Sequence, residues 1–180
     1  MKRVKKLLAS AAIVAALSVA AVWSAGTPTI AGGETRTVSF YHIHTKESIT
    51  VTYMVKGRYV PSAMKKINYL MRDWRRNEVV TIDPKTIDLI WELHADLGSH
   101  APIHIVCGYR SPKTNAFLKR VGRNVAKKSQ HMVGKAIDIR LPGVRLDHLR
   151  SAAASLKLGG VGFYPSSNFV HVDTGRVRYW

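Results

Sequence analysis

The chain has 180 residues, of which 46% are hydrophobic and 22% are charged, a balance that excludes a disordered chain and is typical of one globular domain. The formal net charge of +17 favours an anionic partner. The one cysteine, Cys107, excludes a disulfide bond within the chain.

The N-terminus has the layout of an export signal. Residues 1–6 are basic, and an uncharged, alanine-rich apolar run follows at 7–22. Ala25 and Ala31 both suit cleavage, so residues 1–31 are predicted to be a signal peptide, with an uncleaved membrane anchor as the alternative. An exported chain is expected in the periplasm or cell envelope, where its positive charge would meet cell-wall polymers or anionic lipid.

The rest of the chain predicts helices early and several strands late. The predicted elements, in chain order, are strands at 38–43 and 49–54 that form a hairpin, helices at 62–76 and 83–98, a strand at 103–107, a helix at 113–121, a strand at 136–140, a helix at 146–158, and strands at 161–164 and 169–173. This order predicts an α+β fold, a single domain with a mainly antiparallel sheet and flanking helices.

A carboxylate stands in an unusual place within one of these strands. Asp138 lies between Ile137 and Ile139, and strand alternation places both isoleucines on the core face and Asp138 on the other. A carboxylate beside a buried sheet needs a cation, a metal or several N–H donors. His131, seven positions earlier, supplies an imidazole.

A second strand carries the matching groups. His171 and Asp173 alternate with Val170 and Val172, so the two polar side chains share a face. Two histidines and one carboxylate, here His131, Asp138 and His171, are the ligand set of a catalytic zinc site whose fourth position is open to water. Asp173 could then act as the general base.

Each of these residues also has an ordinary interpretation. His131 alone is typical of a surface loop, and His171 alone of a hydrogen-bonded sheet residue. Asp138 alone could pair with Arg110 or Arg140. The chain has no His-Glu-x-x-His motif, which excludes a helix-borne zinc site of that kind.

Three further residues or pairs bear on the chemistry. Arg110 follows the strand at 103–107, where it could bind a carboxylate or a developing oxyanion. His42 and His44 form a His-x-His pair, a rival metal site for which an exposed hairpin face is the simpler explanation. Cys107 is expected to be a small buried hydrophobic residue rather than a reactive thiol.

The residues together resemble a known family. Ser-x-His-x-x-Gly-x-Ala-x-Asp at 129–138, followed by His-x-Asp at 171–173, resembles the zinc D-Ala-D-Ala carboxypeptidases and related murein endopeptidases. Residues 108–111, 125–129 and 159–180 are most similar to the branch of MepK-type murein endopeptidases. The resemblance covers residues 36–180 and implies the fold shared by lysostaphin, the D-Ala-D-Ala metallopeptidases and the hedgehog domain.

The resemblance also implies the chemistry. It assigns one zinc ion to His131, Asp138 and His171, and a substrate-orienting or oxyanion-stabilising role to Arg110. It implies peptidoglycan as the partner, with the L,D cross-link between two meso-diaminopimelate residues as the bond cleaved. The family's carboxypeptidases carry a catalytic glutamate three residues before the last histidine, where this chain has Asn168. The base role would therefore shift to Asp173, unless Asp173 only orients His171.

Several alternatives stay open at this point. Within the enzyme class they are D,D-endopeptidase and D-Ala-D-Ala carboxypeptidase activity. In a different class, Asn168 would suit a zinc-containing domain that binds peptidoglycan without cleaving it. A nucleic-acid-binding protein rests on charge alone and has no motif to support it. The chain is expected to be a monomer that meets a membrane only through an uncleaved N-terminal segment.

Overall fold

The computed structural model describes residues 34–123 and 125–180. The predicted signal peptide, residues 1–31, lies outside this described part. Among the described residues, none of the helices combines the length and the apolar character that a membrane span requires.

One eight-stranded mixed sheet forms the centre of the molecule. Its strands are β1 (Arg36–His42), β2 (Ser48–Val55), β3 (Arg58–Tyr59), β4 (Ile103–Cys107), β5 (Ala136–Arg140), β6 (Gly160–Tyr164), β7 (Phe169–Asp173) and β8 (Arg178–Tyr179). The strand order is β3-β2-β1-β4-β5-β7-β6-β8. Only the pairs β1/β4 and β6/β8 are parallel among the described strands, so the predicted α+β fold with a mainly antiparallel sheet is confirmed.

The described residues form four α-helices, α1 (Pro61–Leu70), α2 (Pro84–Asp96), α3 (Pro112–Arg120) and α4 (Leu146–Leu156). The first three begin with proline, whose missing N–H costs nothing in the first turn of a helix. Side chains of Asp83 and Ser111 cap α2 and α3 by accepting backbone N–H groups.

Helix α1 is shorter than the sequence predicted. The apolar spacing predicted a helix to residue 76, but the helix ends at Leu70. Residues 71–78 instead turn back on themselves, with a two-residue β-bridge between Asp73 and Glu78. Met71 and Asp73 are buried in that turn, so the apolar residues that suggested more helix pack into the core from a different backbone conformation.

The core lies between the sheet and the helices α1, α2 and α4. Ile137, Ile139, Val170 and Val172 of β5 and β7 are buried there. Asp138 and His171 project from the other face of the same two strands, as strand alternation predicted, and they are direct neighbours in the antiparallel register.

The turn at 71–78 and the segment after β4 are joined by hydrogen bonds. The N–H of Tyr109 donates to the carbonyl of Met71 at 2.7 Å, and the N–H of Ser111 donates to Oδ2 of Asp73 at 3.0 Å. Gly108 packs so closely that a β-carbon there would lie 2.6 Å from the carbonyl oxygen of Met71. We call these two segments, residues 71–78 and 108–111, the platform.

The rival histidine pair does not converge. His42 is fully buried at the end of β1, and its Nδ1 accepts the N–H groups of His44 and Thr45, each at 3.3 Å. His44 is exposed and stacks on Trp74 with ring centroids 4.7 Å apart. Within the described residues neither joins a group of potential metal ligands. The His42 side chain instead stabilises the turn after β1.

The close packing of Gly108 gives a stability prediction. We expect Gly108→Ala to lower the free energy of unfolding by about 1–3 kcal/mol, because backbone atoms of Met71 must shift to admit a methyl group. Urea denaturation followed by circular dichroism measures the change. Ser62→Ala, at an exposed position of α1, is the control, and an equally small effect at both positions would contradict the prediction.

Burial of His42 gives a pH prediction. Desolvation lowers the pKa of His42 to about 4, so between pH 6.5 and 4 the unfolded chain holds a proton that the folded chain lacks. Stability contributed by neutral His42 is therefore lost as the pH falls through this range.

We expect the titration of His42 to lower the free energy of unfolding by on the order of 1 kcal/mol between pH 7 and pH 5. His42→Asn keeps an acceptor for the turn but cannot titrate, so urea denaturation at both pH values should show a smaller difference. His148→Asn, at an exposed site on α4, should keep the wild-type difference. An unaltered difference in His42→Asn would refute the assignment.

Candidate metal centre

Three side chains from separate parts of the chain meet on the open face of the sheet. His131 lies in a 3-10 helix at Gln130–Val133, which begins where the side chain of Ser129 accepts the N–H of His131. Asp138 lies on β5 and His171 opposite it on β7. All three are at least nine-tenths buried.

Their polar atoms converge on one point. His131 Nε2 lies 3.1 Å from Asp138 Oδ1 and 3.1 Å from His171 Nδ1. His171 Nδ1 lies 2.8 Å from the same oxygen of Asp138. The structure therefore brings together the three residues that the sequence predicted as metal ligands.

In each histidine ring, the nitrogen that faces away from the cluster determines whether the other nitrogen carries a hydrogen. His131 Nδ1 lies 2.7 Å from the carbonyl oxygen of Gly108, which can only accept, so Nδ1 carries the hydrogen. His171 Nε2 lies 2.9 Å from Oδ2 of Asp173 and likewise donates. In the neutral rings His131 Nε2 and His171 Nδ1 are then bare lone pairs. Two lone pairs and a carboxylate oxygen at these separations repel one another unless a cation lies between them, so the residues fit a metal ion.

The electrostatics of the cluster lead to the same conclusion. Burial alone would lower the pKa of His131, but the adjacent Asp138 carboxylate raises it well above its usual value. Burial would raise the pKa of Asp138, but His131 and His171 hold it well below its usual range. Both shifts favour a positive charge beside the Asp138 carboxylate.

Asp173 accepts hydrogen bonds at both of its carboxylate oxygens. It is fully buried and accepts from His171, from the N–H groups of Gly160 (3.2 Å) and Gly175 (2.8 Å), and from both terminal nitrogens of Arg178 (3.0 and 2.7 Å). Although burial opposes ionisation, the donors from His171 and Arg178 hold the pKa of Asp173 well below its usual range. Of the two roles that the sequence left open, this geometry favours orienting His171 over accepting a proton.

Arg110 stands at the edge of the cluster. Its guanidinium donates to Oγ of Ser129 at 3.0 Å, and its backbone N–H donates to the carbonyl of His131 at 3.2 Å. Its Nε is buried and has no hydrogen-bond partner among the described residues. A buried guanidinium donor without a partner is suited to a substrate oxygen.

Asn168 lies away from this cluster. It is exposed, has a left-handed backbone with φ of 52°, and lines a separate surface cavity with His104 and Arg140. Arg140 also makes none of the ion pairs found among the described residues, so Asp138 pairs with the two histidines rather than with an arginine.

A cleft with two arms opens over the cluster. The inner cavity, about 140 Å³, reaches His131, His171, Arg178 and Trp180. The outer cavity, about 540 Å³, reaches Arg75, Phe117 and Arg123. The two arms share five lining residues, namely Arg110, Val125, Asp138, Tyr164 and Phe169. The three candidate ligands therefore lie where the two arms meet.

The sequence did not identify the aromatic wall of the inner cavity. Trp180 lies 5.2 Å from the His171 ring, and its Nε1 donates to the hydroxyl of Tyr164 at 2.8 Å. Its indole covers Gly162, where a β-carbon would lie 2.6 Å from the ring. The glycine at an inner strand position was the only signal in the sequence, and it does not name the partner.

Cys107 was wrongly expected to be a buried hydrophobic residue. It is half-buried, and its sulfur lies within 4.8 Å of ligand atoms of His131 and Asp138. The cause is the β4/β5 register, which sets Cys107 opposite Asp138 and so on the polar face of the sheet.

A cation held by nitrogen and oxygen donors at the bottom of an open cleft is the arrangement that metal-dependent hydrolases use. The fold and the site assign the chain to that class. The chain belongs to the peptidoglycan L,D-endopeptidase MepK family, whose model matches residues 30–180.

The comparison with curated proteins agrees. A probable peptidoglycan L,D-endopeptidase MepK from Haemophilus influenzae is 46% identical over 146 residues, which is 81% of this chain and 78% of that protein. Peptidoglycan L,D-endopeptidase MepK from Escherichia coli K12 is 39% identical over 176 residues, 98% and 96% of the two chains. No solved structure gives a significant match.

These matches confirm the family and the enzyme class predicted from the sequence: the chain is a peptidoglycan endopeptidase of a metal-dependent family. The roles of the individual site residues stay predictions, and so does the identity of the metal.

The contacts of Asp173 give a test that separates its two roles. If it orients His171, Asp173→Asn should weaken zinc affinity about 10- to 100-fold, as loss of such partners does elsewhere. If it is the general base, zinc affinity should persist while turnover stops. Competition with a chromogenic chelator measures the affinity, and Asp147→Asn, which removes an exposed partner of Arg145, is the control.

Proposed function

We propose that this chain is an exported, zinc-dependent murein endopeptidase that hydrolyses the L,D cross-link between two meso-diaminopimelate residues of peptidoglycan. His131, Asp138 and His171 hold the zinc ion. The observation that carries the proposal is the convergence of two imidazole lone pairs and one carboxylate oxygen within 3.1 Å of one another. The names of the two relatives above support the choice of bond.

The donor set supports zinc. Two imidazole nitrogens and one carboxylate oxygen form the three-ligand set that catalytic zinc sites use, whereas magnesium and calcium prefer oxygen alone. When bound, zinc polarises a carbonyl and lowers the pKa of a coordinated water towards neutrality.

The chain's own residues position the substrate around that chemistry. Arg110 has a buried Nε free to bind the scissile carbonyl or the charge that develops on it. Asp173 keeps His171 in the tautomer that faces the cluster. Tyr164 accepts a hydrogen bond from Trp180, which leaves its own proton available to a substrate atom in the cleft.

Location and domain limits belong to the same proposal. Residues 1–31 act as the signal peptide and residues 36–180 form the peptidase domain, so the enzyme works in the periplasm on the cell wall. Removal of the signal takes away Lys2, Arg3, Lys5 and Lys6, so the formal charge of +17 falls to +13, which still helps a monomer to remain on an anionic polymer.

A second candidate is a zinc-containing domain that binds peptidoglycan without cleaving it. It is supported by Asn168 at the position of the family's glutamate and by the complete engagement of Asp173. The experiment below decides between the two.

We expect the purified zinc-loaded protein to split L,D-cross-linked muropeptide dimers into monomers, and chelation to stop the reaction. Mass spectrometry of the digest identifies the bond. His131→Ala should retain little zinc and reduce cleavage by at least about a hundredfold, because one of three ligands is lost.

The control is His148→Ala, an exposed histidine on α4. Unchanged dimers in the presence of bound zinc would favour the binding domain. Cleavage of D,D-linked dimers instead, or loss of a terminal D-Ala from single stems, would move the activity to one of the other peptidase types.

A further inference from the structure

The outer cavity has a cationic lining that the hydrolysis itself does not require. Its charged side chains are Arg75, Arg110 and Arg123, with Asp138 as the acidic residue among the described lining. Asp138 is committed to the cluster through Oδ1. None of the ion pairs found among the described residues engages the three arginines. This arm of the cleft is therefore suited to an anion.

Arg75 is held in place although it is exposed. Its guanidinium lies over the ring of Trp74, 4.1 Å from the centroid, and Trp74 stacks in turn on His44. Stacking of this kind fixes the planar guanidinium while its N–H edge stays free for a ligand. The side chain is thus partly ordered before a substrate arrives.

Buried Asp73 connects Arg75 to the catalytic side. Its Oδ1 accepts the backbone N–H of Arg75 at 3.1 Å, and its Oδ2 accepts the N–H of Ser111 at 3.0 Å. Burial opposes ionisation of Asp73, but hydrogen bonds from Thr114 and Ser111 keep its pKa below the usual value. One carboxylate thereby joins the two halves of the platform, which fixes Arg75 relative to Arg110.

We propose that the outer cavity is the subsite for the second peptide stem of the cross-link, and that Arg75 binds a free carboxylate of its diaminopimelate residue. This inference rests on the proposed function. Exposed Phe117 and Val121 in the same cavity provide apolar surface for the carbon chain of that residue.

The chemistry of the substrate supplies the anion. Diaminopimelate has two amino and two carboxyl groups, so a cross-link that joins one residue's carbonyl to the other's amine leaves at least one carboxylate free on each. An enzyme that cuts between two stems must hold peptide on both sides of the scissile bond, whereas removal of one terminal residue needs little room on the leaving side. The two arms that meet at Asp138 match the first requirement.

The test compares two synthetic L,D-linked dimers, one with free diaminopimelate carboxylates and one with carboxamides. We expect Arg75→Gln to lower kcat/KM for the acid dimer about tenfold, mainly through KM, because a charge-assisted contact to the substrate is lost. We expect the same substitution to have little effect on the amidated dimer, since the partner is already neutral. Zinc content should stay at the wild-type level.

Arg145→Gln is the matched control, because Arg145 is an exposed arginine that pairs with Asp147 outside both cavities. An equal loss on both dimers, or no loss on either, would overturn the subsite and leave the proposed endopeptidase intact. If the wild type cleaves neither dimer, the proposed function fails. Calorimetric titration of the intact acid dimer then decides the subsite separately, since about tenfold weaker binding by Arg75→Gln supports it and equal binding refutes it.

Discussion

The repulsion among three electron-rich atoms is the constraint on which the active face of this molecule depends. His131 Nε2, His171 Nδ1 and Asp138 Oδ1 lie within 3.1 Å of one another. In the neutral rings neither of these nitrogens carries a hydrogen, because the opposite nitrogens donate to Gly108 and Asp173. A positive charge relieves such an arrangement, either a bound metal ion or, without one, a second proton on His131. The surrounding structure must hold the three groups together against their own charge.

The sheet and the residues behind each ligand together hold the three groups in place. The β5/β7 register sets Asp138 beside His171, and the core side chains on either side of them keep the register from slipping. Asp173, clamped by Arg178 and two backbone N–H groups, holds the far side of the His171 ring. Two of the three ligands thus lie on paired strands, which position side chains more rigidly than loops do.

The sequence predicted this face well where strand alternation applies. Isoleucines around Asp138 and valines around His171 indicated which side chains turn away from the core, and that orientation needs no knowledge of the partner strand. Contacts made by pairing between distant segments could not be read in this way. Arg178 on Asp173, Trp180 over Gly162 and the N–H of Ser111 on Asp73 all depend on how the strands and turns pack together, which no local pattern encodes. Helix α1 was overextended because Met71 and Trp74 fit a helical spacing that the bridge between Asp73 and Glu78 overrides.

The edges of the sheet affect how copies of the protein associate at high local concentration. The outermost strands, β3 and β8, are two residues long, and each begins with an arginine, Arg58 and Arg178. A protein that gathers on a polymer surface meets many copies of itself, and long uncharged edges would invite those copies to extend the sheet from one molecule to the next. The β8 border is short and charged and offers little backbone to such growth. On the other border β3 pairs only with Met54 and Val55, so among the described strands most of the outer edge of β2 stays unpaired and is where a second copy would add.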